Sequence, residues 1–260
     1  MSTVASAPVG VCIATTARDR LFFSRMAYAC AAVGVIGFAP TFWIPLLTGS
    51  LTLPPILYVH ATVFYSWLAL FVVQSRLVAT RQLSRHRTLG VAGVALATAM
   101  CFVGILAAVS SMRTAQAGGF GPQARAFSVV PLMGIAFFAI LFAIALLKVS
   151  RPDVHKRLLL VATVSLLNAA VGRLFILALG LPSPTASIEP PPVFVSILPG
   201  LLADGLLIPA LLYDRRHFGH VHRVYWLAGA ALIASQLLRV PFASTDVWQG
   251  IAAAVNGLVP

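Results

Sequence analysis

The chain has 260 residues, a net charge of +12, 60% apolar residues, only 9% charged ones and a mean hydropathy of +0.96. A water-soluble domain carries about 25% charged residues, so a soluble fold of this length lacks the polar surface to cover itself, and disorder is excluded because disordered chains are poor in apolar residues. The positive charge sits in blocks between long apolar runs, which is the pattern of membrane topology rather than of nucleic-acid binding, so no nucleic-acid partner is expected.

A spanning helix needs about 20 mostly apolar residues. Seven segments meet that demand, running from Met26 to Thr48, Pro55 to Thr80, Leu89 to Ser111, Phe127 to Leu147, Leu158 to Gly180, Val193 to Tyr213 and Val224 to Val240. The expected fold class is therefore all-α, an integral membrane bundle of seven transmembrane helices with the lipid bilayer as its first partner. Gly49, Pro54, Gly180, Pro182 and Pro241 punctuate the ends, while Pro40, Pro131, Pro199 and Pro209 fall inside spans, where neighbouring groups can re-satisfy the freed carbonyls. Residues 1–25 read as an N-terminal segment without a signal peptide, because Arg18, Asp19 and Arg20 follow a small-residue stretch instead of leading an apolar one. Residues 26–240 form the transmembrane domain. In the tail, residues 241–260, Trp248, Ile251, Val255 and Leu258 recur at helical spacing, the pattern of a short interfacial helix.

Orientation follows from where the basic residues fall. Fourteen of the 18 Lys and Arg residues lie before the first span or between spans two and three (counting Arg76 at the end of span two), four and five, or six and seven. Arg113 and Arg125 alone occupy the opposite connections. The basic side is expected in the cytoplasm, which puts the N-terminus inside and the C-terminus outside. Cys12, Cys30 and Cys101 form no C-x-x-C, so neither a disulfide framework nor a thiolate metal site is expected.

Three polar constellations stand out. The first is intramembrane: Arg173 on the fifth span and Asp204 on the sixth. Each costs about 2.5–3.5 kcal/mol at the centre of a helix, so both should face the interior and find partners. Consecutive antiparallel helices touch, and an Arg173–Asp204 pair is expected, with Asn168, Gln236 and Arg239 as further members of the site. Arg239, near a helix end, is expected to snorkel outward. The second is a stripe on the second span, where His60, Trp67, Gln74 and Arg81 recur every seven residues and so fall near one helix face. The third lies on the basic side. His86, His155 and His222 each precede an odd-numbered span, 69 and 67 residues apart, and three imidazoles can hold a metal ion. The adjoining Arg87, Arg157 and Arg223 offer an anion site instead. A faint internal repeat accompanies them: HKRLLLVATVSLLNAAVGR and HRVYWLAGAALIASQLLR both carry an amide (Asn168, Gln236) and then an arginine (Arg173, Arg239) near the far end.

Several chemistries are disfavoured. Only His60 lies inside a span, which argues against bis-histidine haem. The chain's lysines are Lys148 and Lys156, so the seventh span offers no retinal Schiff base. H-E-x-x-H, G-x-S-x-G and Walker patterns are absent.

The segments HATVFYSWLALFVVQSRLVA, HRTLGVAGVALA, RPDVHKRLLLVATVSLLNAAVGR and Tyr213 to Arg239 resemble a family of uncharacterised bacterial multi-pass membrane proteins. The resemblance implies a bacterial cytoplasmic membrane and draws attention to His60, Trp67, Gln74, His86, Arg87, His155, Arg157, Arg173, Asp214, His222 and Arg239. It implies no activity. Three function classes therefore stay open: binding of a small molecule, lipid or ion at the intramembrane polar site; a metal-dependent or redox enzyme using the histidines; and an accessory subunit, working in a membrane complex or as a homo-oligomer.

Overall fold

The computed structural model describes residues 16–180 and 189–258. Cys12, Pro182 and the first fifteen residues of the N-terminal segment lie outside them. Among the described residues the chain is all helical, and seven helices are long and apolar enough to cross a membrane. They are α1 (Ala17–Leu47), α2 (Pro55–Ala79), α3 (Leu83–Ala117), α4 (Gly121–Leu147), α5 (Pro152–Ala178), α6 (Val193–Phe218) and α7 (Arg223–Ala243). An eighth helix, α8 (Asp246–Leu258), follows.

Most helices run past the apolar segments read from the sequence, and the extensions are polar. α1 starts nine residues before Met26, because Thr16 and Asp19 close a capping box: Thr16 Oγ1 accepts from the Asp19 amide (3.1 Å) and Asp19 Oδ2 from the Thr16 amide (3.4 Å). Such a reciprocal cap satisfies two of the amides a helix start leaves orphaned. α3 and α5 each begin six residues early, so His86, Arg87, His155 and Arg157 are helical residues and not loop residues. α7 passes through Pro241, which was expected to end it. One end of the bundle thus gathers the basic residues in the terminal turns of helices; it is called the basic end below, and the opposite one the far end.

Each of the first six helices packs on the next in sequence order. α5 is the hub. It touches α4 and α6 along the chain, and also α1 and α7, with Leu160, Val161 and Val164 fully buried. Trp67, the one buried residue of α2, reaches this core: its Nε1 donates to Thr163 Oγ1 (3.3 Å), and its ring meets Phe138 edge-on at 5.0 Å. Buried Trp N–H groups need such an acceptor. α1 and α5 approach so closely at Gly37 that a Cβ there would lie 2.5 Å from the Ala170 carbonyl oxygen, so only glycine fits. Large apolar side chains such as Val91, Phe102 and Leu227 point outward, as expected of a surface solvated by hydrocarbon.

Four helices are irregular toward the middle or the far end. α4 is interrupted by a turn at Ser128. α1 contains a π-helical turn over Ala39–Trp43. α5 tightens at Leu166 and Leu167, whose amides bond back three residues, to Thr163 and Val164. α6 has a 3₁₀ turn over Gly205–Leu207, four residues ahead of a proline, Pro209, that supplies no amide and crowds the Gly205 carbonyl. π turns and broken membrane helices occur where backbone lines a cavity or a functional site.

Candidate functional site

The densest polar network lies at the basic end, and most of it was not expected. Arg157 on α5 and Asp214 on α6 are 2% and 1% exposed and pair through two parallel hydrogen bonds, Nε to Oδ2 (2.9 Å) and Nη2 to Oδ1 (2.5 Å). Arg157 Nη1 donates to the Asp153 carbonyl (2.8 Å), and Asp214 Oδ2 also accepts the His222 amide (3.2 Å). A buried pair is tolerated when its remaining donors and lone pairs are occupied in this way. Around it, Tyr213 Oη donates to Asp19 Oδ1 (2.6 Å), and Lys156 Nζ stands 3.8 Å from Asp19 Oδ2. The network ties α1, α5, α6 and α7 together. Its clue in the sequence was acidic: Asp19, Asp153 and Asp214 are half of the six acidic residues, and all three lie among the basic clusters.

The three histidines do not converge on a metal site. His86 Nδ1 donates to Gln74 Oε1 (2.7 Å) and His155 Nδ1 to the Ala145 carbonyl (2.8 Å). His222 caps α7: its Nδ1 accepts the Val224 amide (3.2 Å), which places the proton on Nε2, 3.3 Å from Asp153 Oδ2. Among the described residues no three His, Cys, Asp or Glu side chains are gathered as metal ligands would be. Nor do Arg87, Arg157 and Arg223 form one anion site, since Arg157 is already committed to Asp214. Of the stripe on α2, Trp67 serves the core, Gln74 holds His86, and Arg81 occupies the turn after the helix with φ of 62°.

Within the membrane span the expected Arg173–Asp204 pair is not formed. Arg173, on α5, turns to Phe38 of α1. Asp204 turns to α7, where its Oδ2 accepts from Gln236 Nε2 (3.0 Å). Gly200 makes room for that amide, for a Cβ there would meet Gln236 Oε1 at 2.8 Å. Arg239 does not snorkel: it is 4% exposed, and its Nη2 donates to the Ser196 carbonyl (2.8 Å). So Asp204, Gln236 and Arg239 form one cluster between α6 and α7.

Arg173 belongs to another, between α1, α2 and α5. Its guanidinium lies over the Phe38 ring, 4.5 Å from the centroid. Tyr65 and His60 are within electrostatic reach. Tyr65 Oη donates to the Gly34 carbonyl (3.3 Å), and its ring packs 4.7 Å from Trp43, on the π turn. The His60 ring leans on Phe64 at 4.1 Å. Asn168 is the first residue after the tightened turn of α5 and joins neither cluster by a hydrogen bond. Buried polar atoms without hydrogen bonds concentrate in these two clusters: Thr41 Oγ1, Trp43 Nε1, His60 Nδ1 and Arg173 Nε in one, Asp204 Oδ1, Gln236 Oε1 and Arg239 Nε in the other.

The fold and its apolar exterior define a seven-helix membrane protein. Comparison with protein-family models, curated proteins and solved structures finds no match for this chain.

Proposed function

We propose that this protein binds a small anionic amphiphile in the far half of the membrane, between α1, α2 and α5, with Arg173 as the charge partner. The reading is carried by one observation: Arg173 faces no carboxylate among the described residues, and its Nε is buried without an acceptor. An unneutralised intramembrane cation is costly, and such residues mark ligand or ion sites. Phe38 offsets part of the cost through a cation–π contact but accepts no planar, bidentate hydrogen bonds, which a carboxylate, phosphate or sulfonate does. His60 Nδ1 offers a second free position nearby, and Trp43, Tyr65 and Phe64 supply apolar walls. A ligand that reaches a site inside the apolar span carries an apolar body with its anionic group. The reading includes a bacterial cytoplasmic membrane, with the basic end in the cytoplasm.

The test is thermal stabilisation of detergent-purified protein by dodecanoate and by the uncharged dodecanol. Dodecanoate is expected to raise the unfolding temperature and dodecanol to leave it unchanged. Arg173→Gln is expected to lose the response, while Arg239→Gln, in the other cluster, keeps it. Equal protection by the alcohol, or an undiminished response in Arg173→Gln, overturns the reading.

A further inference from the structure

At the basic end, Leu21, Phe22 and Arg25 lie three, four and seven residues after Arg18 on α1, so the four share one face. With Tyr213 from α6 they line a groove of about 410 Å³. Its floor is a rigid aromatic stack: Phe22 lies parallel to Tyr213 with centroids 4.0 Å apart, and His217 stacks on the other side of Tyr213 at 4.1 Å. The tyrosine hydroxyl is held by Asp19, so the floor is fixed before any ligand arrives.

The charge over this floor is unbalanced. Asp19 and Asp214, the carboxylates that act on Tyr213, are both buried and committed, Asp19 to Tyr213 and Lys156 and Asp214 to Arg157. Arg18 and Arg25 are exposed, and neither pairs with a carboxylate among the described residues. Arg18 does have a neutral anchor: His217 Nδ1 donates to the Tyr213 carbonyl (2.9 Å), which leaves Nε2 to accept from Arg18 Nη1 (3.1 Å). The guanidinium is thereby oriented at the groove while its charge remains uncompensated. Leu21, 52% exposed, continues the face with an apolar surface.

We infer that this groove binds a phosphate-bearing anion, with Arg18 and Arg25 as the paired cations and the Phe22–Tyr213 stack as the floor. Two planar guanidinium forks suit a phosphate better than any single-point acceptor. Arg18 to Arg25 precede the apolar segment that begins at Met26, which is where a phospholipid headgroup would meet the helix, and Leu21 would then meet the first methylenes of an acyl chain. Basic pockets between membrane helices recognise headgroups by this combination. The site is separate from the Arg173 cluster, which lies at the other end of α1, and does not depend on it.

Native mass spectrometry of the protein released from nanodiscs tests the inference, using phosphatidylglycerol against phosphatidylcholine and adding inorganic phosphate as competitor. Phosphatidylglycerol adducts are expected on the wild type and phosphatidylcholine adducts are not. Arg18→Gln/Arg25→Gln should weaken them by about tenfold or more, the size expected for losing charge-assisted bonds. The charge-matched control Arg85→Gln/Arg151→Gln should retain them, so that net charge alone does not explain the loss. Displacement by millimolar inorganic phosphate identifies a soluble phosphate as the source; resistance identifies the lipid. Equal retention of the two lipids, or an equal loss in both double variants, overturns the site. Because all four arginines are exposed, the variants should fold, and unchanged unfolding temperatures verify it.

Discussion

Arg157 and Asp214 at the basic end are sealed from solvent, and their charged atoms are matched by one another, by the Asp153 carbonyl and by the His222 amide. In the far half, Arg173 and Asp204 are equally improbable in an apolar setting, yet each keeps a polar atom without a hydrogen bond. One region resolves the cost of intramembrane charge within the chain, and the other leaves it standing. The first arrangement has the form of a structural fastening across four helices. The second has the form of a place reserved for something else, since buried unsatisfied groups are rare in folded proteins and cluster where function demands them.

That contrast can be broken most sharply at Asp214. Asp214→Ala leaves Arg157 buried without its counter-charge and should cost about 3–5 kcal/mol, the range for halving a buried ion pair. Denaturant unfolding in detergent measures it, and adding Arg157→Met should recover much of the loss. A cost below about 1 kcal/mol, the worth of an exposed pair, would mean that the network is not a fastening at all. Next in size is Gly37→Ala, whose Cβ collides with the Ala170 carbonyl. Separating α1 from α5 should cost about 1–3 kcal/mol, read in the same assay. Arg173→Met should behave in the opposite sense to Asp214→Ala. Stability is expected to stay within about 1 kcal/mol of wild type or to rise, because removing an unpartnered charge relieves a burial cost, as at other sites where function is kept at the expense of stability. A large destabilisation there would show that Arg173 is a structural residue after all.

The smallest effect is a pH dependence at the basic end. Burial first, and then the Arg157 guanidinium, hold His222 below the ordinary histidine value of 6.5, with Asp153 and Asp214 opposing them. The folded protein therefore binds this proton less readily than the unfolded chain does. His222's contribution is complete above about pH 6.5 and declines as the pH falls through that value. The unfolding temperature should drop between pH 7.5 and 5.5, and His222→Asn, which retains an α7 cap, should flatten that slope. A slope of the opposite sign would show that Asp153 dominates the histidine's environment.

The seven spans were legible in the sequence, because hydropathy over 20 residues is a property of each helix alone. Helix ends were less so, since the polar turns at Ala17, Leu83 and Pro152 are helical through capping and continuation rather than apolar content. Side-chain partners were the least legible. Arg173 and Asp204 sit on consecutive helices, and adjacency suggested a pair; but Arg173 on α5 turns to Phe38 of α1 and Asp204 on α6 to Gln236 of α7, and helix order says nothing about rotational phase. Arg239 looked like a terminal residue free to reach water, yet the Ser196 carbonyl on α6 holds it inside. Asp214 and Arg157 were both noticed, through resemblance or as anion ligands, but nothing in their spacing says that α5 and α6 bring them together. His60 comes within electrostatic reach of Arg173, while Asp204, Gln236 and Arg239 form a cluster apart from both.

The position of α5 has a consequence for how the chain is made. It is the hub of the bundle but is made after α1 to α4, and Tyr213 must be synthesised before Asp19, 194 residues earlier, can find its partner. Until then α1 lacks the surface that Gly37 meets on α5, so the close packing of the bundle cannot be completed before its later helices have been made.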